Sequence, residues 1–263
     1  MKSILVTGAY GGMGKAAVKE LKRQGYLVFA LDKTVNVAED GVIPISADVT
    51  SEESLASALR ILSSHTSELY AILHFAGIYT LDSLVELETN AYERIFDVNV
   101  KGAYLVNKIF FPLLKKGSRV LITTSELAVL DPLPFTGIYA VTKAALDKYA
   151  YSLKMELQLH GVHVSVLRAG AVKTDMLGAS NAALDRFCEG TKIYACNAKR
   201  FKSIVNRVEA RCIPPNSIAK KSVRILKKKK PSFAYAINRN PLLLLLNACP
   251  KRLQLWVIKK ILT

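Results

Sequence analysis

The chain has 263 residues, 51% of them hydrophobic, and a formal net charge of +16 at pH 7. This length and apolar content predict one large α/β domain rather than two small ones. No run of about 18 apolar residues occurs, so the sequence does not predict a transmembrane helix. The first residues enter an apolar run directly, without the pattern of a signal peptide, and we therefore expect a cytoplasmic protein.

The basic excess is confined to the C-terminal part of the chain. Residues 1–185 carry 18 Lys or Arg and 19 Asp or Glu, whereas residues 186–263 carry 19 basic and 2 acidic residues. A charge asymmetry of this size indicates what kind of partner a protein binds, but it does not indicate the fold. His is scarce and the cysteines lack the paired spacing of metal ligands, so we expect no metal site. We expect four buried, reduced thiols, at Cys188, Cys196, Cys212 and Cys249.

The first predicted unit is a strand, a glycine-rich turn and a helix. Residues 2–6 form the apolar strand, residues 7–14 contain four glycines, and residues 15–24 have a helical pattern. Glycines let backbone amides approach a pyrophosphate, and a helix N-terminus adds partial positive charge. This order of elements predicts a dinucleotide site, although glycines after a strand also suit a plain turn.

The second predicted strand, residues 27–31, ends at Asp32, which lies 18 residues after Gly14. A carboxylate near this spacing reaches the adenosine ribose and repels a 2′-phosphate, so Asp32 favours NAD(H) as the cofactor. Lys33 follows it and suits a phosphate, which leaves NADP(H) open. The plainer interpretation of Asp32 is a turn residue.

The alternation of strands and helices continues to about residue 170. It predicts a Rossmann-type, doubly wound parallel sheet in a single domain, with ligands at the carboxyl ends of the strands. Pro112 is expected to kink or end a helix predicted over residues 100–114. The further predicted strands are residues 42–47, 70–75, 120–124 and 162–167, and the further helices are residues 55–62, 89–98 and 144–159.

Tyr139 and Lys143 are four residues apart, which places them on one face of a helix. An ammonium beside a phenol favours the phenolate, so we expect the pKa of Tyr139 below its usual value of about 10. Tyr139 is then a candidate acid or base, and the hydroxyl of Ser125 is a candidate partner for a substrate carbonyl. The alternative is an amphipathic helix with a packed Tyr and a solvated Lys.

With these motifs in hand, residues 2–175 resemble the short-chain dehydrogenase/reductase family. The resemblance implies hydride transfer between a secondary alcohol or ketone and a nicotinamide cofactor. By the same resemblance Tyr139 is the acid or base, Lys143 lowers its pKa, Ser125 binds the substrate oxygen, and Asn99 holds a water in the proton relay. The implied cofactor-binding residues are Thr7, Gly8, Gly12, Met13, Gly14, Asp32, Asp48, Val49, Ala76, Gly77, Tyr139, Lys143, Val172 and Thr174.

The chain departs from the family pattern in four places. Phe75 stands where the family has Asn, and Ala169 stands where it has Pro. Thr142 replaces the Ser of the YxxSK motif. Ser125 precedes Tyr139 by 14 residues, one more than the common spacing, so Thr124 is the fallback if the register slips.

The family domain is predicted over residues 1–240, with residues 175–215 as a flap over the substrate. Residues 241–263 form a basic, leucine-rich tail whose pattern resembles the hydroxysteroid and retinol dehydrogenase branch. An apolar flap and tail suit a steroid-like, retinoid-like or other lipid alcohol or ketone. The family also implies a homodimer or homotetramer through the helices near residues 100–115 and 140–160.

The tail allows two interpretations. Trp256 and the leucines, interleaved with lysines, suit a helix lying on the anionic inner surface of a membrane. The alternative is a core-packed helix with a solvated basic face, and nucleic acid is disfavoured because few exposed aromatic residues are expected. For the whole chain, the alternative to an enzyme is a catalytically weak dinucleotide-binding adaptor that docks on membranes or acidic partners.

Overall fold

A computed structural model describes residues 1–209 and 212–263, and the side chains of these residues except 175–181 and 206–209. Within this part of the chain, the apolar runs form one seven-stranded sheet, with strand order β3-β2-β1-β4-β5-β6-β7 and every pair parallel. The strands are β1 (Ser3–Thr7), β2 (Leu27–Asp32), β3 (Val42–Ser46), β4 (Leu69–His74), β5 (Leu114–Ser125), β6 (His163–Ala169) and β7 (Ala234–Ile237).

The strand order reverses at β1, which pairs with β2 on one side and with β4 on the other. Thr7 at the end of β1 lies opposite both Leu31 and His74, so the carboxyl ends of the three strands meet at one edge. In open α/β sheets the ligand crevice lies at such a switch point. The doubly wound fold predicted from the alternation is confirmed.

Helices cover both faces of the sheet. One core cluster joins α2, α4 and α5 to the face that carries Leu5, and the other joins α1 and α8 to the face that carries Ile4 and Val6. The helices are α1 (Gly12–Arg23), α2 (Glu52–Ser63), α3 (Thr89–Phe96), α4 (Gly102–Phe110), α5 (Gly137–Leu157), α6 (Asp175–Gly190), α7 (Ala195–Glu209), α8 (Pro215–Leu226), α9 (Pro241–Ala248) and α10 (Lys251–Leu262). Because consecutive side chains of a strand point to opposite faces, both helical layers bury apolar strand residues.

The element boundaries differ from the predicted ones around Pro112. The helix predicted over residues 100–114 ends at Phe110, because Pro112 lies in a 3₁₀ turn (Phe111–Leu113) and cannot continue an α-helical ladder. Strand β5 then begins at Leu114, six residues before the predicted start. Residues 210–211 of the predicted flap lie outside the described residues.

The four cysteines are free thiols, but they are not buried as expected. Cys196 is exposed, and Cys188, Cys212 and Cys249 are half-buried.

A third cluster, rich in aromatic rings, lies beside the sheet edge and includes the C-terminal helix. Phe135 is at its centre, with ring centroids 4.5 Å from Phe187, 5.3 Å from Tyr194 and 5.4 Å from Phe201. Phe135 has φ 67°, a strained value for a bulky residue, and the surrounding rings hold it there. Leu262 of α10 is buried in the same cluster, so α10 packs on the fold. No described helix has the length and hydropathy needed to cross a bilayer.

An ion pair joins α5 to the sheet below the candidate site. Arg168 donates from Nε to Asp147 Oδ1 over 3.0 Å and from its terminal nitrogen to Oδ2 over 2.7 Å, while Thr124 donates to Oδ1 over 3.3 Å. Asp147→Ala leaves a partly buried guanidinium without its counter-charge, so we expect the free energy of unfolding in urea to fall by about 3 kcal/mol. The control, Asp185→Ala, breaks an exposed pair and should cost less than about 1 kcal/mol. Equal losses in the two variants would contradict this assignment.

Candidate active site

Glycines bring three segments into close contact at the switch point. Gly8 has φ +64°, and a Cβ placed there would lie 2.5 Å from the backbone nitrogen of Ala76 after β4. A Cβ on Gly14 would lie 1.9 Å from the carbonyl oxygen of Gly8, and one on Gly12 would lie 2.6 Å from Cβ of Thr174. A larger residue therefore cannot replace glycine here without moving the backbone.

The N-terminus of α1 faces this turn without a cap. Gly11 precedes the helix and makes no side-chain hydrogen bond to it, and the first turn has no acidic residue. The first backbone N–H groups of the helix thus remain available to donate hydrogen bonds to a ligand, and the helix N-terminus adds partial positive charge there. These features fit the pyrophosphate of a dinucleotide.

A cleft of about 810 Å³ opens over the glycine turn. Its volume lies in the range of ligand pockets in proteins. Nine of the predicted cofactor residues line it, namely Gly8, Gly12, Met13, Gly14, Asp32, Val49, Ala76, Gly77 and Thr174. Residues outside the predicted set also line it, among them Lys33, Tyr79, Asn90, Arg94 and Arg186.

Five predicted cofactor residues do not line this cleft: Tyr139 and Lys143, which are described below, and three others, Thr7, Val172 and Asp48. Thr7 is fully buried, and its hydroxyl accepts a hydrogen bond from the backbone nitrogen of Ala76 over 3.4 Å. Val172 is buried in a core cluster and pairs with Ile213. Asp48 is half-buried below the cleft lining and accepts hydrogen bonds from both the backbone and the hydroxyl of Thr50. In this structure the three residues support the walls of the cleft from behind.

The carboxylate of Asp32 lies at the end of β2 and holds the glycine turn. It accepts hydrogen bonds from the backbone nitrogen of Tyr10 over 2.9 Å and from that of Lys33 over 2.8 Å. The ammonium of Lys33 pairs with Asp48 over 2.8 Å. Burial alone would raise the pKa of Asp48, but hydrogen bonds from Lys33 and Thr50 outweigh it and leave the pKa below its usual value. Lys33 is therefore held by an intramolecular carboxylate.

Asn99 connects the loop after β4 to helix α5 through hydrogen bonds. It lies in a π-helical turn (Asp97–Lys101) between α3 and α4, a local distortion often found at functional sites. Its Oδ1 accepts from the backbone nitrogen of Ile78 over 2.8 Å, and its Nδ2 donates to the carbonyl oxygen of Ile78 over 3.0 Å and to Thr142 Oγ1 over 3.1 Å. Thr142 in turn donates to the carbonyl oxygen of Tyr139. The loop after β4 is thereby fixed against α5.

Tyr139 lies at the centre of the site. Its phenol is a hydrogen-bond partner of Ser125, and its ring centroid is 4.8 Å from that of Tyr79. The ammonium of Lys143 lies 5.5 Å from the Tyr139 ring centroid and is buried. The fallback Thr124 points to Asp147 instead, so the structure brings Ser125 to Tyr139. A short 3₁₀ turn (Glu126–Ala128) and the loop after it accommodate the additional residue.

The expectation that Lys143 lowers the pKa of Tyr139 is wrong. Burial raises the pKa of the phenol above its usual value, and the neighbouring Tyr79 raises it further, while the hydrogen bond with Ser125 opposes both effects. Burial also lowers the pKa of Lys143 to about 8. Removal from water favours the neutral form of each group. At neutral pH the phenol therefore carries a proton and can donate it.

Phe75 replaces an Asn of the family pattern without closing the cleft. Its side chain packs in the core, and its backbone nitrogen donates to the carbonyl oxygen of Thr7 over 3.0 Å. The preceding His74 is buried and lies 3.0 Å from Asn107 Oδ1. Burial lowers the pKa of His74 to about 4, so this residue is a neutral structural group at pH 7.

A second cavity, of about 330 Å³, lies between the loops after β4 and β5 and helix α10. Its lining is mainly apolar and includes Leu84, Phe135, Ile258 and Leu262. Sequence reasoning missed Tyr79 and Phe135. Tyr79 follows Gly77 by two residues, so its place after a strand end was a signal, whereas nothing local indicated Phe135.

Comparison with known proteins agrees with this geometry. Estradiol 17-beta-dehydrogenase 2 of Mus musculus is 33% identical over 192 residues, which cover 68% of this chain and 50% of that protein. The NADPH-dependent 1-acyldihydroxyacetone phosphate reductase of Saccharomyces cerevisiae is 27% identical over 248 residues, which cover 89% of this chain and 82% of that protein. The chain thus spans about half the length of the estradiol dehydrogenase that it matches.

The fold is also shared with solved structures. A short chain dehydrogenase family protein from Francisella tularensis subsp. tularensis SCHU S4 has a TM-score of 0.75 and 22% identity, covering 90% of this chain and 97% of that one. The family model described as short chain dehydrogenase matches residues 2–185. This match spans the glycine turn, Asn99, Ser125, Tyr139 and Lys143, and the chain belongs to the short-chain dehydrogenase family.

Proposed function

We propose that this chain is an NAD(P)(H)-dependent oxidoreductase that interconverts a secondary alcohol and a ketone. The observation that carries the proposal is the contact of Tyr139 with Ser125, beside a buried Lys143 and next to a glycine-lined cleft. A phenol, a hydroxyl and an ammonium in this arrangement suit proton transfer to or from a substrate oxygen. The uncapped end of α1 suits the cofactor phosphates.

Each residue of the site has a separate role in the proposed reaction. When bound, the nicotinamide cofactor supplies or accepts the hydride. Ser125 orients the substrate oxygen and stabilises the charge that develops on it. Tyr139 donates a proton to that oxygen in reduction and removes it in oxidation. Asn99 retains an acceptor lone pair on Oδ1 that suits a water of the proton relay.

We propose a lipophilic substrate of the steroid, retinoid or lipid class. The apolar cavity lined by Leu84, Phe135 and Leu262 supports this, and helices α6 and α7 are proposed to cover the bound substrate. The names of the mouse and yeast relatives record an estradiol, which is largely apolar, and an acylated dihydroxyacetone phosphate, which joins an acyl chain to a charged phosphate ester. A screen of lipid alcohols against polar alcohols and sugars, followed by nicotinamide absorbance, tests the proposal. Turnover of the polar compounds alone would contradict it.

We propose NAD(H) as the preferred cofactor, because Asp32 lines the cleft and Lys33 is paired with Asp48. A 2′-phosphate would meet the Asp32 carboxylate, so we expect NADH to bind at least about tenfold more tightly than NADPH in fluorescence titrations. Asp32→Asn should reduce this ratio toward one. Glu68→Gln, an exposed carboxylate before β4, should leave it unchanged. The yeast relative is named as NADPH-dependent, and tighter binding of NADPH here would overturn the preference.

A homodimer through α4 and α5 is also proposed. Tyr104 of α4 and Tyr151 and Met155 of α5 are exposed aromatic and apolar side chains on these helices. A homotetramer, a cytoplasmic location and the division of the chain at residue 240 stay predictions. The alternative function, an adaptor without turnover, is favoured only by the exposed apolar and basic residues of the C-terminal helices.

A further inference from the structure

Helices α9 and α10 expose an unusual set of side chains, here called the tail face. Its apolar members include Leu242, Leu245, Leu255 and Trp256, which are 61%, 66%, 68% and 58% exposed. Its basic members, Lys251, Arg252, Lys259 and Lys260, are exposed on α10. Burying four such large apolar side chains against a partner would be favourable, because each now contacts water.

The chemistry of the tail face selects an anionic bilayer surface as its occupant. Residues 186–263 carry 19 basic and 2 acidic residues, so the attraction is for negative charge. Leucines and a Trp interleaved with Lys and Arg on a 12-residue helix suit a helix in the plane of a membrane interface. A nucleic acid would leave the exposed leucines in water, and it contacts phosphate-binding side chains rather than aliphatic ones.

Helix α10 also lines the apolar cavity, and Lys259 belongs both to the tail face and to the cavity wall. Ile258 and Leu262 contribute to its wall together with Leu84 and Phe135, and Leu262 is buried. Phe135 precedes Tyr139 by four residues, and a Cβ on Gly137 would lie 3.1 Å from the side chain of Leu84. Helix α10 therefore contributes side chains both to the cavity and to the tail face.

The tail is also attached to the loop that joins Ser125 to Tyr139. The backbone nitrogen of Asn240, the residue before α9, donates to Glu126 Oε2 over 2.7 Å. The backbone nitrogen of Asp131 donates to Asn247 Oδ1 over 2.6 Å, and Lys251 pairs with the Asp131 carboxylate. A bilayer that binds the tail face therefore holds the cavity at a fixed position relative to the lipid.

We propose that the tail face docks on an anionic membrane surface and that the cavity under α10 receives its lipophilic substrate from that surface. The second half of this inference rests on the proposed function, whereas the docking itself does not. A substrate that partitions into lipid would then reach Tyr139 without crossing bulk water, and docking would lower its apparent KM.

Vesicle pelleting with the full chain tests the docking. We expect binding to phosphatidylcholine vesicles that contain phosphatidylserine and little binding to pure phosphatidylcholine. Arg252→Gln with Lys260→Gln should weaken binding by about 25-fold, on the basis of about fivefold per basic residue, and Leu255→Ser with Trp256→Ser should weaken it similarly. The controls, Lys19→Gln and Leu159→Ser, replace exposed residues elsewhere and should bind like the wild type. Thermal unfolding checks that each variant folds.

Kinetics separate the inference from the proposed function. In detergent micelles the wild type and the Leu255→Ser, Trp256→Ser variant should turn over a lipid alcohol equally, whereas in phosphatidylserine vesicles the KM of the variant should rise with kcat unchanged. Absence of wild-type pelleting, or equal pelleting by the tail variants, overturns the docking even when micellar turnover supports the enzyme. Preference for a duplex oligonucleotide over vesicles also overturns it. Pelleting that depends on the tail residues, without turnover in micelles, retains the docking but removes substrate delivery and the proposed function.

Discussion

Tyr139→Phe is expected to lower kcat for a lipid alcohol by about 10³-fold, because it removes the proton carrier and keeps the ring. The ring contact with Tyr79, at 4.8 Å between centroids, does not need the hydroxyl. The substitution leaves the cleft over the glycine turn unchanged. The dissociation constant for NADH should therefore stay within about twofold of the wild type, which corresponds to about a few tenths of a kcal/mol in binding free energy. Steady-state kinetics and cofactor titration on the same preparation measure the two quantities.

Tyr151→Phe is the matched control for this variant. Tyr151 lies on the same helix, is about half exposed and packs its ring against Phe233. Loss of its hydroxyl should change neither kcat nor cofactor binding. If Tyr139→Phe turned over as fast as Tyr151→Phe, the role assigned to Tyr139 would be wrong. If the wild type bound NADH but did not turn over, the enzyme proposal would fail, because an adaptor that binds the dinucleotide without chemistry behaves in that way.

Lys143→Met is expected to abolish most of the activity while making the fold more stable at pH 7. Burial lowers the pKa of Lys143 from 10.5 to about 8, so the charged form is held in the native state at a cost of about 3 kcal/mol. Met removes the charge and fills a similar volume. We expect the free energy of unfolding in urea to rise by about 2 kcal/mol. The gain is smaller than the full cost of the charge, because some contacts of the ammonium are lost as well. Turnover should fall by about 10²-fold or more.

The sign of the pH dependence follows from the same shift. Between pH 8 and 10.5, Lys143 is protonated in the unfolded chain but has lost its proton in the native chain. In this pH range the contribution of Lys143 to the free energy of unfolding of the wild type therefore rises with pH. Lys143→Met should lack that rise. Wild-type turnover should fall as the pH increases through about 8, where the ammonium is lost. Lys148→Met, an exposed lysine on the same helix, should change neither property. A less stable Lys143→Met protein at pH 7 would contradict the cost assigned to the charge.

Local sequence patterns were sufficient for much of the candidate site. Asp32 ends a strand, and Gly8, Gly77 and Thr174 come after strands; because the strands are parallel, their carboxyl ends meet at one edge. Asn99 was placed at a helix junction, and the structure has a π-helical turn there. The same reasoning misplaced the start of β5, because Lys115, Lys116 and Gly117 obscure the strand pattern before Val120.

Contacts between distant segments were not predictable in this way. Phe135 belongs to the site because rings from α6 and α7 hold it at a strained φ, and no local pattern marks such a residue. The tail offered two interpretations, a packed helix and a membrane-facing one, and α10 has features of both. Leu262 packs in a core cluster while Leu255 and Trp256 are exposed.

The sequence by itself determined the order of the elements, the doubly wound parallel sheet and the family, because periodicity and motif spacing are properties of neighbouring residues. Only the tertiary structure decided that Ser125 rather than Thr124 meets Tyr139, and that the phenol retains its proton at neutral pH. Both results depend on which groups surround a side chain and on how much water they exclude. Tyr79 and Ser125 are distant from Tyr139 in the sequence, and their combined effect on its pKa exists only after the sheet has brought them together.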